Sequence, residues 1–149
     1  DGLASFGGVE GRLQFVKTVD NVRIYNDNNA TTPAATIAAL EALDLGNKNI
    51  ILIAGGAYKE VDPMPLVNAI DVHCKKTILI PGTGTEMLIE KGIEALVVEN
   101  LAQAVEEARL AAENGDIILF SPAFASFGVY ANEYERNDEF MKLTDGITQ

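Results

Sequence analysis

Basic residues are scarce in this chain, where 11 Lys and Arg stand against 22 Asp and Glu for a formal net charge of -11 over 149 residues. A field of that sign repels a phosphate backbone unless a local basic patch overrides it. No run of Lys or Arg supplies one, so nucleic acid is not an expected partner. Cysteine is scarcer still. Cys74 stands alone and cannot form an intrachain disulfide, in keeping with a reducing compartment such as the cytoplasm. No apolar stretch approaches the ~20 residues of a membrane span, and Asp1 to Gly8 lack the basic start and apolar core of a signal peptide. A soluble, cytoplasmic protein is expected.

Several catalytic signatures are missing as well. No lysine directly follows the second glycine of a P-loop pattern and precedes Ser or Thr, so the chain cannot cradle ATP phosphates in that manner. Gly82-Thr83-Gly84 begins like a dinucleotide fingerprint, but Met87 stands at the third glycine position, and a structural turn is the better reading. No Ser-His-Asp or Cys-His constellation is evident. His73 and Cys74, read as neighbours on one strand, would point to opposite faces and could not share a metal.

What the sequence does contain is 48% hydrophobic residues, enough for one ordinary core, arranged as alternating strand and helix patterns. Leu13 to Asp27 reads as a β-hairpin turning at Asp20-Asn21, residues that tolerate positive φ. Thr31-Thr32-Pro33 opens a helix whose apolar face carries Ile37, Leu40 and Leu43. Asn49 to Ala54 is a continuous apolar run, as for a strand buried on both faces. A helix over Pro63 to Ile70, a strand over Thr77 to Ile80, a short helix over Thr85 to Lys91 and a strand over Ala95 to Val98 follow. Leu101 to Ala112 is an amphipathic helix with a left-handed cap expected at Asn114-Gly115, Asp116 to Phe120 a final strand, and Tyr130 to Thr144 a terminal helix. The pattern predicts an α/β fold, a Rossmann-like doubly wound and mostly parallel sheet with an N-terminal β-hairpin. Gly2, Gly7, Gly8 and Gly11 break any period, so residues 1–12 read as an interdomain linker and 13–149 as the domain.

In such sheets ligands bind beyond the carboxyl ends of the parallel strands. The loop from Asn26 to Thr32 gathers carboxylate, amide and hydroxyl groups ahead of a helix N-terminus, which favours an anion; helix capping alone would need only one of them. In Gly55-Gly56-Ala57-Tyr58-Lys59 two glycines permit close backbone approach to a ligand and one cation follows, although a lone Lys is usually solvated. Ser121-Pro122-Ala123-Phe124-Ala125-Ser126-Phe127 could turn backbone donors and a hydroxyl toward a carboxylate, or be an ordinary turn.

Taken in order, the Arg12 segment, Val22-Arg23-Ile24-Tyr25-Asn26-Asp27 with Ala30-Thr31, Gly55-Gly56 with Lys59, Ser121-Pro122-Ala123 with Ala125-Ser126-Phe127, and the closing Asn132, Arg136 and Phe140 resemble the C-terminal domain of the Mur ligase family. The likeness spans nearly the whole chain and runs toward the members that add D-glutamate to UDP-N-acetylmuramoyl-L-alanine in peptidoglycan synthesis. It implies a larger ATP-dependent, amide-forming enzyme in which ATP and Mg²⁺ are handled by a central P-loop domain and the UDP-sugar by a first domain. By the same resemblance Arg12 and Asp27 contact the nucleotide, while Thr31, Lys59, Ser126 and Phe127 surround the incoming amino acid. No catalytic residue or metal ligand is implied within this chain, and the isolated domain is expected to be inactive. Three departures stand out: Asn29 where many relatives carry Lys, Gly11 where a histidine commonly precedes the arginine, and Glu133-Tyr134 where the order is commonly aromatic then acidic, so no substrate role is transferred to Glu133. A related ligase with another acceptor, of Mur or folylpolyglutamate type, and a stand-alone binding module are the alternatives.

Overall fold

A computed structural model describes residues 9–148 of the chain, so Asp1 to Gly8 of the expected linker lie outside the described residues. β1 (Gln14–Val19) and β2 (Val22–Asn26) form an antiparallel pair closing at Val19↔Val22. The two residues between them, Asp20 and Asn21, take φ of 51° and 60°, the two-residue hairpin turn expected from their side chains.

Then follow α1 (Pro33–Leu43), β3 (Ile50–Ala54), α2 (Met64–His73), β4 (Cys74–Leu79), α3 (Thr83–Glu90), β5 (Leu96–Val97), α4 (Leu101–Ala111), β6 (Ile117–Phe120) and α5 (Glu133–Asp145). The six strands form one sheet in the order β1-β2-β6-β3-β4-β5, parallel except for the hairpin. The last strand in the sequence is therefore inserted between the second and the third.

Side-chain alternation divides the core into two layers. Ile50, Leu52, Ala54, Ile117 and Leu119 face Ala39, Leu40, Leu66, Ile70 and Leu88 of α1, α2 and α3. Ile51, Ile53, Ile118 and Phe120 face Leu101, Ala104, Val105 and Ala108 of α4 and Phe140 of α5. Strands apolar at every position are thus required by helices on both faces. On α1, Leu40 is fully buried but Ile37 and Leu43 only partly so, because the short Thr36 and Ala39 complete the contact face.

Two local readings are corrected. His73 is the last residue of α2 and Cys74 the first of β4, so they do not share a strand; the His73 ring bonds Asp44 Oδ2 at 2.7 Å, joining the ends of α2 and α1. Lys75 and Lys76 hid the start of β4 because at this amino edge of the sheet the strand meets polar surroundings, with Lys75 bonded to Glu113 and Asp116. The second concerns α4, which ends at Ala111 with an extended cap at Ala112. Gly115, at φ 94°, serves the turn into β6, where its N–H donates to Asn21 O.

Candidate functional site

The carboxyl ends of β2, β6, β3 and β4 carry the loops that hold the candidate residues, and backbone hydrogen bonds stitch these loops together. Asp27 N–H donates to Phe120 O at 2.7 Å, Ala123 N–H to Ala30 O at 2.8 Å, Gly55 N–H to Pro122 O at 2.9 Å and Ala57 N–H to Ala125 O at 2.9 Å. The Gly55-Gly56 pair is needed for that stitching. A Cβ on Gly55 would meet Ile80 O at 2.5 Å, one on Gly56 would strike Ala125 O, and both residues have positive φ. The two glycines thus permit a close approach between neighbouring loops of the same protein.

Beneath the loops lies a polar layer. Asp27, 5% exposed, accepts from Leu13 N–H at 2.9 Å and from Ser121 Oγ at 2.7 Å, and Ser121 Oγ also lies 2.8 Å from Thr36 Oγ1. Burial pushes the Asp27 carboxyl above its usual range, against the opposing pull of those two hydrogen bonds and of the Arg12 charge. Asn26 Nδ2 donates to Asn137 Oδ1 at 2.8 Å, and Asn28 N–H to Asn26 Oδ1 at 3.0 Å.

Arg136 is the side chain whose structural weight sequence reasoning missed. It is fully buried on α5, on the same face as Phe140 and Thr144. Its Nε donates to Asn28 Oδ1 at 2.7 Å, one terminal nitrogen to Asn28 O at 3.0 Å and the other to Phe124 O at 3.1 Å. Burial pulls this guanidinium down to about 10, so it remains charged at neutral pH while held by neutral acceptors. The signal in the sequence was the four-residue spacing to Phe140, which places Arg136 on the apolar stripe of its helix.

Among the six candidate residues two associations are seen, Arg12 with Asp27 at one groove and Lys59 with Phe127 and its neighbour Ser126. Arg12, exposed, and Asp27 line a groove with Leu13, Asn29, Ala30 and the alanines of α1. The described part of the expected linker is bonded to this groove: Asn29 N–H donates to Gly11 O at 2.8 Å and Asn29 Nδ2 to Glu10 O at 3.2 Å. On the neighbouring loops the exposed Lys59 Nζ lies 5.9 Å from the centre of the Phe127 ring, which is 62% exposed. Ser126 beside it is buried, and its hydroxyl donates to Glu133 Oε2 at 3.1 Å. Thr31 stands half-buried before Thr32, whose hydroxyl caps α1 by accepting from Ala35 N–H at 3.2 Å. A cation over an exposed aromatic face suits an acidic ligand. Among the described residues no group of three His, Cys, Asp or Glu converges to hold a metal, and no helix is long and apolar enough to cross a membrane.

Comparison with known proteins places this arrangement in context. Residues 11–124 match the family profile described as Mur ligase, glutamate ligase domain. The chain is 37% identical over 149 residues to a UDP-N-acetylmuramoylalanine--D-glutamate ligase of Borreliella burgdorferi, covering 97% of this chain and 33% of that protein. Against the ligase of the same name from Clostridium perfringens it is 40% identical over 154 residues, covering 96% and 32%. A bifunctional folylpolyglutamate synthase/dihydrofolate synthase solved with Mn, AMPPNP and L-glutamate bound shares the fold, with TM-score 0.66 and 15% identity over 92% of this chain and 32% of that one. The chain thus spans about a third of the length of the curated relatives it matches.

Proposed function

The chain belongs to the Mur ligase family through its glutamate ligase domain, and from that premise we propose that residues 13–149 are the amino-acid-binding domain of a cytoplasmic ATP-dependent ligase. The ligase joins D-glutamate to UDP-N-acetylmuramoyl-L-alanine in peptidoglycan synthesis, and residues 1–12 lead in from its other domains. The observation that carries this reading is identity of 37% across 97% of the chain to a ligase of that activity, with Lys59, Phe127 and Ser126 gathered at the carboxyl edge of the sheet.

In this reading the Lys59 ammonium neutralises a carboxylate of the incoming glutamate, Ser126 and Thr31 supply hydrogen bonds, and Phe127 walls the site. Together they orient the amine toward the activated acyl group. ATP with Mg²⁺ supplies that activation when bound. In this reading Arg12 and Asp27, which line one groove, meet one flank of the nucleotide, while the metal and phosphates fall to the central domain.

The test is product formation by the full-length ligase from UDP-N-acetylmuramoyl-L-alanine, ATP and each of D-glutamate, L-glutamate, L-lysine and glycine. Dependence on D-glutamate supports the reading; turnover only with another amino acid overturns the assigned acceptor.

A further inference from the structure

Glu133 occupies a position that the proposed acceptor would be expected to leave free. It is the first residue of α5, follows the Asn132 cap and is half-buried. Its backbone is held, since Asn28 Nδ2 donates to Glu133 O at 3.0 Å. Its side chain takes one hydrogen bond among those described, from Ser126 Oγ at 3.1 Å, and its charge favours that of the buried Arg136 guanidinium. A serine hydroxyl has a single proton to give. While Glu133 accepts it, Ser126 cannot donate to a ligand carboxylate, and the fixed negative charge repels a second one brought to the same hydroxyl.

Resting on the reading just given, we propose that Glu133 is a built-in competitor for the carboxylate of the incoming amino acid, and that this amino acid enters only as the Glu133 side chain turns away from Ser126. The held backbone and the single hydrogen bond of the side chain suit that motion, which needs a rotamer change and no movement of α5. Glu133 therefore sets acceptor affinity, making the site weaker for glutamate than Lys59 and Ser126 would make it alone. The competition is selective by charge: it opposes an acidic ligand and spares one whose side chain is neutral at the same place.

The experiment uses the full-length ligase and its Glu133→Ala and Glu133→Gln variants, with melting curves recorded for each. Glu133→Ala lowers the KM for D-glutamate on the order of tenfold, the value of a charge-assisted hydrogen bond freed for the ligand. Glu133→Gln lowers it less, because an amide oxygen still accepts from Ser126 without repelling the ligand. In a Ser126→Ala background the gain from Glu133→Ala shrinks, a coupling that a merely structural role for Glu133 would not produce. Turnover of D-glutamate with KM unchanged or raised in both single variants, folding intact, overturns this inference and leaves the proposed function standing. If the unsubstituted ligase makes no D-glutamate-dependent product, both are overturned.

Discussion

The guanidinium of Arg136 holds Asn28 twice, by Nε on the side-chain oxygen at 2.7 Å and by a terminal nitrogen on the backbone carbonyl at 3.0 Å. Through this grip the last helix fixes the loop after β2, and a third bond to Phe124 O at 3.1 Å fixes the loop after β6. Arg136→Ala would leave three buried acceptors without donors and a large void. We expect a loss of about 3 to 5 kcal/mol, the combined cost of unsatisfied buried acceptors and of the cavity left by a large side chain. Arg136→Lys should recover only a minor part, since one ammonium cannot reproduce the fork. Urea unfolding of the three proteins checks both statements.

Asp27 ties the start of β1 to the loop after β6 by accepting from Leu13 N–H and Ser121 Oγ. Asp27→Ala strands the Leu13 donor, while Ser121 keeps its partner in Thr36, so the expected cost is about 1 to 3 kcal/mol. Asp27→Asn should lie between, its amide oxygen retaining one of the two bonds. In the full-length ligase the same substitutions should raise the KM for ATP if the groove meets the nucleotide. Equilibrium unfolding and ATP saturation curves separate the two effects.

Lys59 is exposed above the Phe127 ring, so its removal should leave the melting temperature unchanged. Lys59→Ala should instead weaken D-glutamate binding, by about 1.5 to 3 kcal/mol if a charge-assisted bond is lost. A rise in KM for D-glutamate, with the ATP response as reference, is the expected result. An unaltered glutamate curve would return Lys59 to an ordinary solvated lysine.

The His73 hydrogen bond, followed by donation from Gly46 N–H, holds the Asp44 carboxyl below its usual range. A depressed carboxyl stabilises the fold fully above its unfolded value of about 3.8 and loses that contribution as pH falls through the lower folded value. Asp44→Asn should therefore narrow the stability difference between pH 7 and pH 3. Melting temperatures of the two proteins across that range provide the measurement.

Cys74 is buried, and that burial pushes its thiol up to about 12. It should remain unreacted toward a disulfide reagent at pH 8 in the folded chain and react at once in urea, because only the accessible thiolate attacks.

Much of the architecture was legible because short-range chemistry agreed with the final packing. Asp20-Asn21 turns as its side chains allow, and Ile50 to Ala54 is apolar throughout because both faces are covered. Legibility failed where distant partners decide. The boundary between His73 and Cys74 depends on Asp44, 29 residues away, and the end of α4 on packing that leaves Gly115 to a later turn. At the candidate site the loops were found by their position at strand ends, but their partners were not. Gly55 and Gly56 face Ile80 and Ala125, and Ser126 faces Glu133, contacts that only the assembled sheet brings together.

The insertion of β6 between β2 and β3 sets a timetable for folding during synthesis. Of these six strands the hairpin is synthesised before β3, β4 and β5, yet among the described residues the two groups share no strand-to-strand bond until residues 117–120 arrive to join them. Until then the facing edges of β2 and β3 stand open, an invitation to mispair with another nascent chain. Completion is late and long-range, so the slow event in folding should be the docking of this one four-residue strand rather than formation of the helices around it.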